Sequence, residues 1–248
     1  PPPGVSGPPV RGWYPLDGGM SPPPNRPYDL AMTVADYTRA RDRLRRIDDE
    51  RPDLTAVLEA TQAALHDVAT ISWSALMTVD PDTLLPTGGL VEGFDAEACA
   101  PFWDNELLAP GYNKFTDLAR STTSVATLYD ATDGDLGRAP IYSNLYSQLG
   151  VADELRAAFM AGSRCWGVVS MLRATADGPF TDDECRNVES LVPLIAKSLR
   201  AGIVELDMEA KGTAAMLVVD GDNRVADLTI EAGRLLDELR TVGVDEDC

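Results

Sequence analysis

The residues in this chain that could do chemistry are few, and their spacing argues against catalysis. The only histidine is His66, and it falls beside the apolar stripe of a helical pattern. A hydrolase needs a Gly-x-Ser-x-Gly elbow, or a Ser or Cys with a histidine to activate it, and neither pattern is present. No phosphate-cradling Gly-x-x-x-x-Gly-Lys loop occurs, nor a Gly-x-Gly-x-x-Gly turn after a strand. Cys99, Cys165, Cys185 and Cys248 each stand alone. Structural zinc wants paired Cys/His ligands at short spacing, so these are expected to be reduced thiols, biased toward burial. Asp133 and Asp135 lie in a polar loop, and Asp220 and Asp222 in a hairpin turn, where Asp serves backbone geometry. The expectation is no enzyme, no metal and no cofactor.

Binding chemistry is better represented. Phe102, Trp103, Tyr112 and Phe115 cluster within one stretch that also carries Asn105 and Asn113. Large aromatic rings with a few amides are the composition of a concave small-molecule site. The same rings would equally serve as plain core. Lys114 is the only cation between Phe102 and Phe115, which argues against gripping a nucleotide phosphate.

Several elements must hold that stretch in place. A helix is predicted over Val34 to Glu50 from Tyr37, Ala40, Leu44 and Ile47. A second starts near Asp53, with Leu54, Val57, Leu58, Thr61, Leu65 and Val68 on one stripe. From Ser72 the period drops to two: Trp73, Ala75, Met77 and Val79 alternate with Ser72, Ser74, Leu76 and Thr78, as in a half-buried strand. Asp80-Pro81-Asp82 turns the chain into a second strand over Leu84 to Val91, making a hairpin. The aromatic stretch, 95–120, is helical or looping and split at Pro110-Gly111. A short strand is expected at Val125 to Leu128, a loop over Asp130 to Arg138, and a short helix from Ile141 to Leu149 ended by Gly150. Strands follow at Glu154 to Met160 and at Arg164 to Arg173. The second of these is apolar on both faces, as in a covered central strand. Simple alternation sets Cys165, Gly167, Val169 and Met171 against Trp166, Val168, Ser170 and Leu172. A long helix opens at Thr181 with Asp182, Asp183 and Glu184 in its first turn. Beyond it, Ala214 to Val219, Arg224 to Thr229 and Ile230 to Leu239 read as strand, strand and helix.

Ten of the 18 prolines fall within residues 1–32, so this segment is expected to be a flexible tail. With 44% hydrophobic and 25% charged residues the chain is of ordinary globular composition. No run of 18 apolar residues and no secretory signal are seen, so no membrane contact and a cytoplasmic location are expected. A net charge of -19 repels phosphate backbones and argues against direct nucleic-acid binding.

Cys165-Trp166-Gly167-Val168-Val169, followed by Gly178-Pro179-Phe180-Thr181 and an acidic helix start, resembles the closing strand, turn and helix of GAF domains. More narrowly, Leu84-Leu85-Pro86-Thr87-Gly88-Gly89, Phe102-Trp103-Asp104-Asn105-Glu106 and Asn113-Lys114-Phe115 are similar to the sensory region of actinobacterial LuxR-type regulators, in which a GAF-like domain precedes a helix-turn-helix. No helix-turn-helix is read in this chain. The resemblance covers about residues 35–202 and implies an α/β (α+β) fold with a GAF/PAS-like central antiparallel sheet flanked by helices. The segment from Thr213 to Leu239 is similar to the β-β-α opening of a PAS domain. The implied organisation is a tail at 1–32, a sensory domain at 33–203 and a partial PAS-like segment at 204–248.

The resemblance also implies a site between one sheet face and the helical excursion that crosses it. It would be lined by Trp73, Phe102, Asn105, Tyr112, Phe115, Tyr142 and Trp166. A bilin-type chromophore would want a positioned cysteine, for which Cys99 is the nearby thiol, and none is expected. The implied role is ligand- or partner-driven control of transcription through dimer geometry. The homodimer would form through Tyr37, Leu44 and the helix at 181–203, with Arg39, Arg43 and Arg46 opposite Asp182, Asp183 and Glu189 setting register. The alternative is a ligand-free scaffold for dimerisation or protein–protein contact.

Overall fold

A computed structural model describes residues 33–50, 53–94, 96–209, 215–220 and 224–241. The Pro-rich tail expected at 1–32 lies outside the described residues. Two helices come first, α1 (Val34–Glu50) and α2 (Leu54–Val68). Thr33 caps α1 reciprocally with Asp36, the Asp36 carboxylate accepting from the Thr33 N–H at 2.9 Å. Asp53 caps α2, accepting from the Ala56 N–H at 2.8 Å. Each cap satisfies N–H groups that the first helical turn leaves orphaned.

The hairpin follows as β1 (Trp73–Val79) and β2 (Pro86–Glu92). The excursion comprises α3 (Cys99–Leu107), α4 (Phe115–Leu118), β3 (Val125–Thr127), α5 (Leu128–Ala131), a π-helical turn at Tyr142–Tyr146 and α6 (Ser147–Leu149). Gly150 closes α6 in the left-handed conformation, with φ 68°, as a C-terminal glycine should. Then come β4 (Val151–Ala161), β5 (Arg164–Ala174) and the long α7 (Asp182–Glu209). Five strands form one antiparallel sheet in the order β2-β1-β5-β4-β3. The fold class is therefore mixed α/β with a central antiparallel sheet flanked by helices, as read from the sequence.

The sheet divides the core in two. On one face, Leu76, Leu155, Ala157, Phe159, Val169 and Met171 pack under α1, α2 and α7, which contribute Leu44, Leu65, Leu191, Ile195 and Leu199. On the other, Trp73, Met77, Val168 and Leu172 pack under Phe102, Phe115, Leu128, Ile141 and Tyr146 of the excursion. β1 is buried along its whole length rather than half-buried. Ser72, Ser74 and Thr78 look solvent-facing in sequence but lie beneath the helical layer, where the Ser72 hydroxyl accepts from the Ala174 N–H at 3.0 Å.

Beyond α7, β6 (Leu217–Val219) and β7 (Val225–Leu228) pair antiparallel, followed by α8 (Ile230–Thr241). This matches the β-β-α order read from sequence, with strands shorter than expected. Among the described residues, no helix is long and apolar enough to cross a membrane.

Candidate functional site

Strand alternation on β4 turns Leu155, Ala157 and Phe159 toward the helices, and Glu154, Arg156 and Ala158 toward the excursion. Two opposite charges thus enter a buried layer two residues apart. Arg156 is 1% exposed. Its Nε–H donates to Glu154 Oε1 at 2.8 Å, and its Nη1–H donates to Glu106 Oε2 at 2.6 Å and to the Asn113 carbonyl at 3.3 Å. The other Glu106 oxygen accepts from the Phe115 N–H at 2.9 Å, which fixes the start of α4. Glu154 Oε1 also accepts from the Tyr146 hydroxyl at 2.8 Å and the Ser170 hydroxyl at 2.6 Å. Lys114 completes the charge set, its ammonium donating to the backbone carbonyls of Asn105 and Glu106.

Burial of this depth is tolerable only because the charges are paired and hydrogen-bonded. Burial alone would lower the Arg156 guanidinium's pKa, yet Glu154, Tyr146 and Glu106 together hold it above its ordinary value. Burial, reinforced by Glu154, pushes the Tyr146 phenol well above its usual range, so it stays a donor. Burial lowers the Lys114 ammonium.

The backbone around these groups is unusual in two places. Asn113 is left-handed at φ 51°, held there while its side-chain Nδ2–H donates to the Thr127 carbonyl at 2.8 Å. Tyr146 is delivered by the π-helical turn, a rare local widening of the helix that recurs at functional sites. The guanidinium of Arg156 lies 4.8 Å from the Phe115 ring centroid and 5.6 Å from that of Phe102. Phe102 meets Trp103 edge-on at 5.3 Å. Below them, cross-strand pairing sets Arg156 in a row with Ala126, Ser170 and Ala75, so the floor beside the guanidinium is made of short side chains. Two polar atoms in this layer are sealed from solvent with no hydrogen-bond partner among the described residues, Arg156 Nη2 and Asn105 Oδ1.

Six of the seven residues read from the sequence belong to this layer. Trp73, Phe102 and Phe115 are buried in it, with Tyr112 and Tyr142 packed at its margin. Asn105 is buried on α3. Trp166 is the exception. Phe159 pairs with Gly167 and Met160 with Cys165, which leaves Trp166 as the extra residue of a bulge. The bulge breaks the alternation and turns Trp166 to the helical face, where Arg200 sits 5.8 Å from its ring.

Sequence reasoning missed Glu106, Tyr146, Glu154, Arg156 and Ser170. The available signal was Glu154-x-Arg156 inside an apolar strand, where opposite charges at i and i+2 share one face.

Four of the residues read for a dimer seam make contacts within the chain. Leu44 is buried in the helical core and Tyr37 packs against it. Arg39 and Arg43 both reach Asp67 on α2, at 3.1 and 3.3 Å. Cys165 and Cys185 are free thiols, whereas Cys99 is disulfide-bonded. This corrects the expectation of reduced thiols throughout, which rested on sequence spacing alone. Burial, with Asp130 and Asp153 nearby, pushes the Cys185 thiol up to about 12, so it is a poor nucleophile. No group of three His, Cys, Asp or Glu able to hold a metal occurs among the described residues.

No protein-family model matches the chain, and no curated protein does. Among solved structures, it is similar to a GAF domain/HD domain protein from Geobacter sulfurreducens. That match has 17% identity and a TM-score of 0.46, covering 63% of this chain and 98% of the other. It is also similar to the GAF domain of a phosphoenolpyruvate-protein phosphotransferase from Coxiella burnetii, at 14% identity and TM-score 0.47, covering 69% and 98%. A third likeness is to the VqsR LBD domain from Pseudomonas aeruginosa, at 13% identity and TM-score 0.42, covering 69% and 98%. At these identities and TM-scores they are likenesses and do not assign a family.

Proposed function

We propose that this chain is a non-catalytic sensory domain of GAF type that binds a small molecule between its sheet and the helical excursion. The observation that carries the reading is the buried Arg156 centre, with aromatic rings beside it and hydrogen-bonding capacity left over. Each unpaired buried polar atom costs about 1–3 kcal/mol; this layer holds two of those found among the described residues, and the helical face holds others, Thr61 Oγ1 and Trp166 Nε1 among them. The excursion consists of short helical pieces with little cooperativity of their own, so occupancy of the layer would move it relative to the sheet. That movement, carried through β4 and β5 to α7, is the proposed output. It acts in the cytoplasm on transcription through dimer geometry, with the net charge of -19 keeping the chain itself off nucleic acid. Dimerisation would use the outward faces of α1 and α7, where Arg46, Asp182 and Glu189 are exposed, since Leu44 is spent on the core.

Equilibrium dialysis of the full chain against a small-molecule cell extract tests the reading. A compound retained by the wild type and lost in Phe102→Ala is the expected result, and retention of nothing removes the reading. A second reading, a ligand-free scaffold, is favoured by one observation: Glu106 and Glu154 already pair Arg156 on two sides. Light scattering that shows a stable dimer from a chain that retains no compound would select it.

A further inference from the structure

Resting on that reading, we infer that the ligand is a small, planar, uncharged molecule carrying an amide-like pair, a carbonyl oxygen beside an N–H. The inference starts from the charge count of the layer. Arg156 and Lys114 supply two cations, and Glu106 and Glu154 supply two carboxylates, joined through the bonds at 2.6 and 2.8 Å and the Lys114 contacts to the α3 carbonyls. The set is balanced before any ligand arrives. A carboxylate or phosphate entering would be a buried charge without a partner, which is strongly disfavoured. A neutral molecule meets no such cost.

The unused valences set its polar groups. Among the described residues, Arg156 Nη2 donates to no acceptor and Asn105 Oδ1 receives no donor. Both residues are sealed, at 1% and 4% exposure. Both residues contact the 113–114 segment: Lys114 donates to the Asn105 carbonyl, and Arg156 donates to the carbonyl of the preceding residue, Asn113. The ligand must therefore present an acceptor to the guanidinium and a donor to the carboxamide. An amide does both, and it still complements Asn105 if that side chain turns over. The ring faces of Phe102 and Phe115 beside the guanidinium favour a flat molecule, and the Ala126–Ser170–Ala75 row gives it a low floor. Because both orphan atoms are closed to solvent, entry requires the excursion to lift, which ties this ligand class to the proposed output.

The test is an NMR titration of the full chain with δ-valerolactam, using propionate as the charged comparator and Asn105→Leu as the variant. The expected result is a saturable shift of the Arg156 Nε–H and Asn105 amide signals by the lactam, with Kd on the order of 1 mM. Propionate should neither produce nor compete with it. Asn105→Leu removes an unsatisfied acceptor, so the variant should fold at least as stably as wild type and bind the lactam at least about tenfold more weakly. Three outcomes overturn the inference: propionate binding as tightly as the lactam, unchanged lactam binding by Asn105→Leu, or no saturable shift because fixed waters satisfy both atoms. In each of these cases a compound retained from extract leaves the sensory reading standing, and only the amide class falls.

Discussion

The guanidinium of Arg156 and the carboxylate of Glu106 meet at 2.6 Å although 50 residues separate them, with side chains 1% and 4% exposed. This contact ties the middle of the sheet to α3. Glu106 passes the constraint to α4 through the Phe115 N–H, and Glu154 extends it to the π-helical turn through Tyr146. One arginine thus fixes the excursion in place. Its removal strands two buried carboxylates.

Arg156→Met should accordingly cost about 3–5 kcal/mol, the usual penalty for breaking a buried ion pair from one side. Adding Glu106→Gln and Glu154→Gln removes the stranded charges and should restore at least about half of that loss. Urea denaturation of the single and triple variants measures both. A triple variant no more stable than Arg156→Met would mean that the carboxylates are not stranded by the loss of the arginine.

Much of the frame was legible in the sequence because it is written in local periodicity. Helix α1 spans the Val34 to Glu50 read from its apolar spacing, and Asp53 and Thr181 cap the helices they precede. All five strands of the main sheet were read, β1 from period-two alternation and β5 from a run apolar on both faces. Alternation failed at Trp166, since a bulge depends on the partner strand and leaves no mark in its own residues. The ion-pair centre was illegible for a related reason. Nothing in the local sequence marks Glu106 as buried, and only the fold brings Arg156 to it. The aromatic half of the site was found because burial of large rings is a property of single residues.

Trp166 and Phe102 should separate cleanly under mutation, being on opposite faces of the sheet. Trp166→Phe is expected to leave lactam affinity within about twofold, while lowering stability by about 1 kcal/mol through lost packing against α7. Phe102→Leu should weaken binding at least about fivefold, since it removes a ring beside the guanidinium. Paired titrations and thermal melts decide this, and equal binding losses in both variants would contradict the assignment of faces.

Gly167 is required by close approach, with no positive φ involved. A Cβ there would lie 2.7 Å from Leu199 Cδ1 and 2.9 Å from the Met77 carbonyl oxygen. The leucine can rotate away, but the β1 backbone cannot. Gly167→Ala should therefore cost more than about 2 kcal/mol by prying β5 from β1 or from α7. Gly162→Ala, where nothing lies within 4 Å but φ is 64°, should cost only about 1 kcal/mol from backbone strain. Denaturation midpoints of the two variants should rank in that order, and the reverse ranking would show that the sheet yields at Gly167.

Asp153 gives the fold a pH dependence near neutrality. Burial raises its carboxyl from 3.8 to about 6, against the pull of N–H donors from Tyr129, Phe180 and Glu154. The folded protein therefore holds the proton more tightly than the unfolded chain. Stability from this group grows as pH falls through about 6, and it is fully present below the unfolded value. The two-unit separation corresponds to about 3 kcal/mol. Glu184 works in the opposite sense: burial would raise it, but Arg173 and the Thr181 N–H hold its pKa down, so its contribution is lost in acid. Comparison with Asp153→Asn isolates the first effect. The variant should be less stable at every pH, because an amide nitrogen replaces the oxygen that accepts from the Phe180 N–H at 3.1 Å. The gap between the two proteins should widen as pH drops from 7.5 to 5, by about 1 kcal/mol or more. Urea midpoints measured across that range will show the widening, and a constant gap would mean that Asp153 titrates as an ordinary carboxylate.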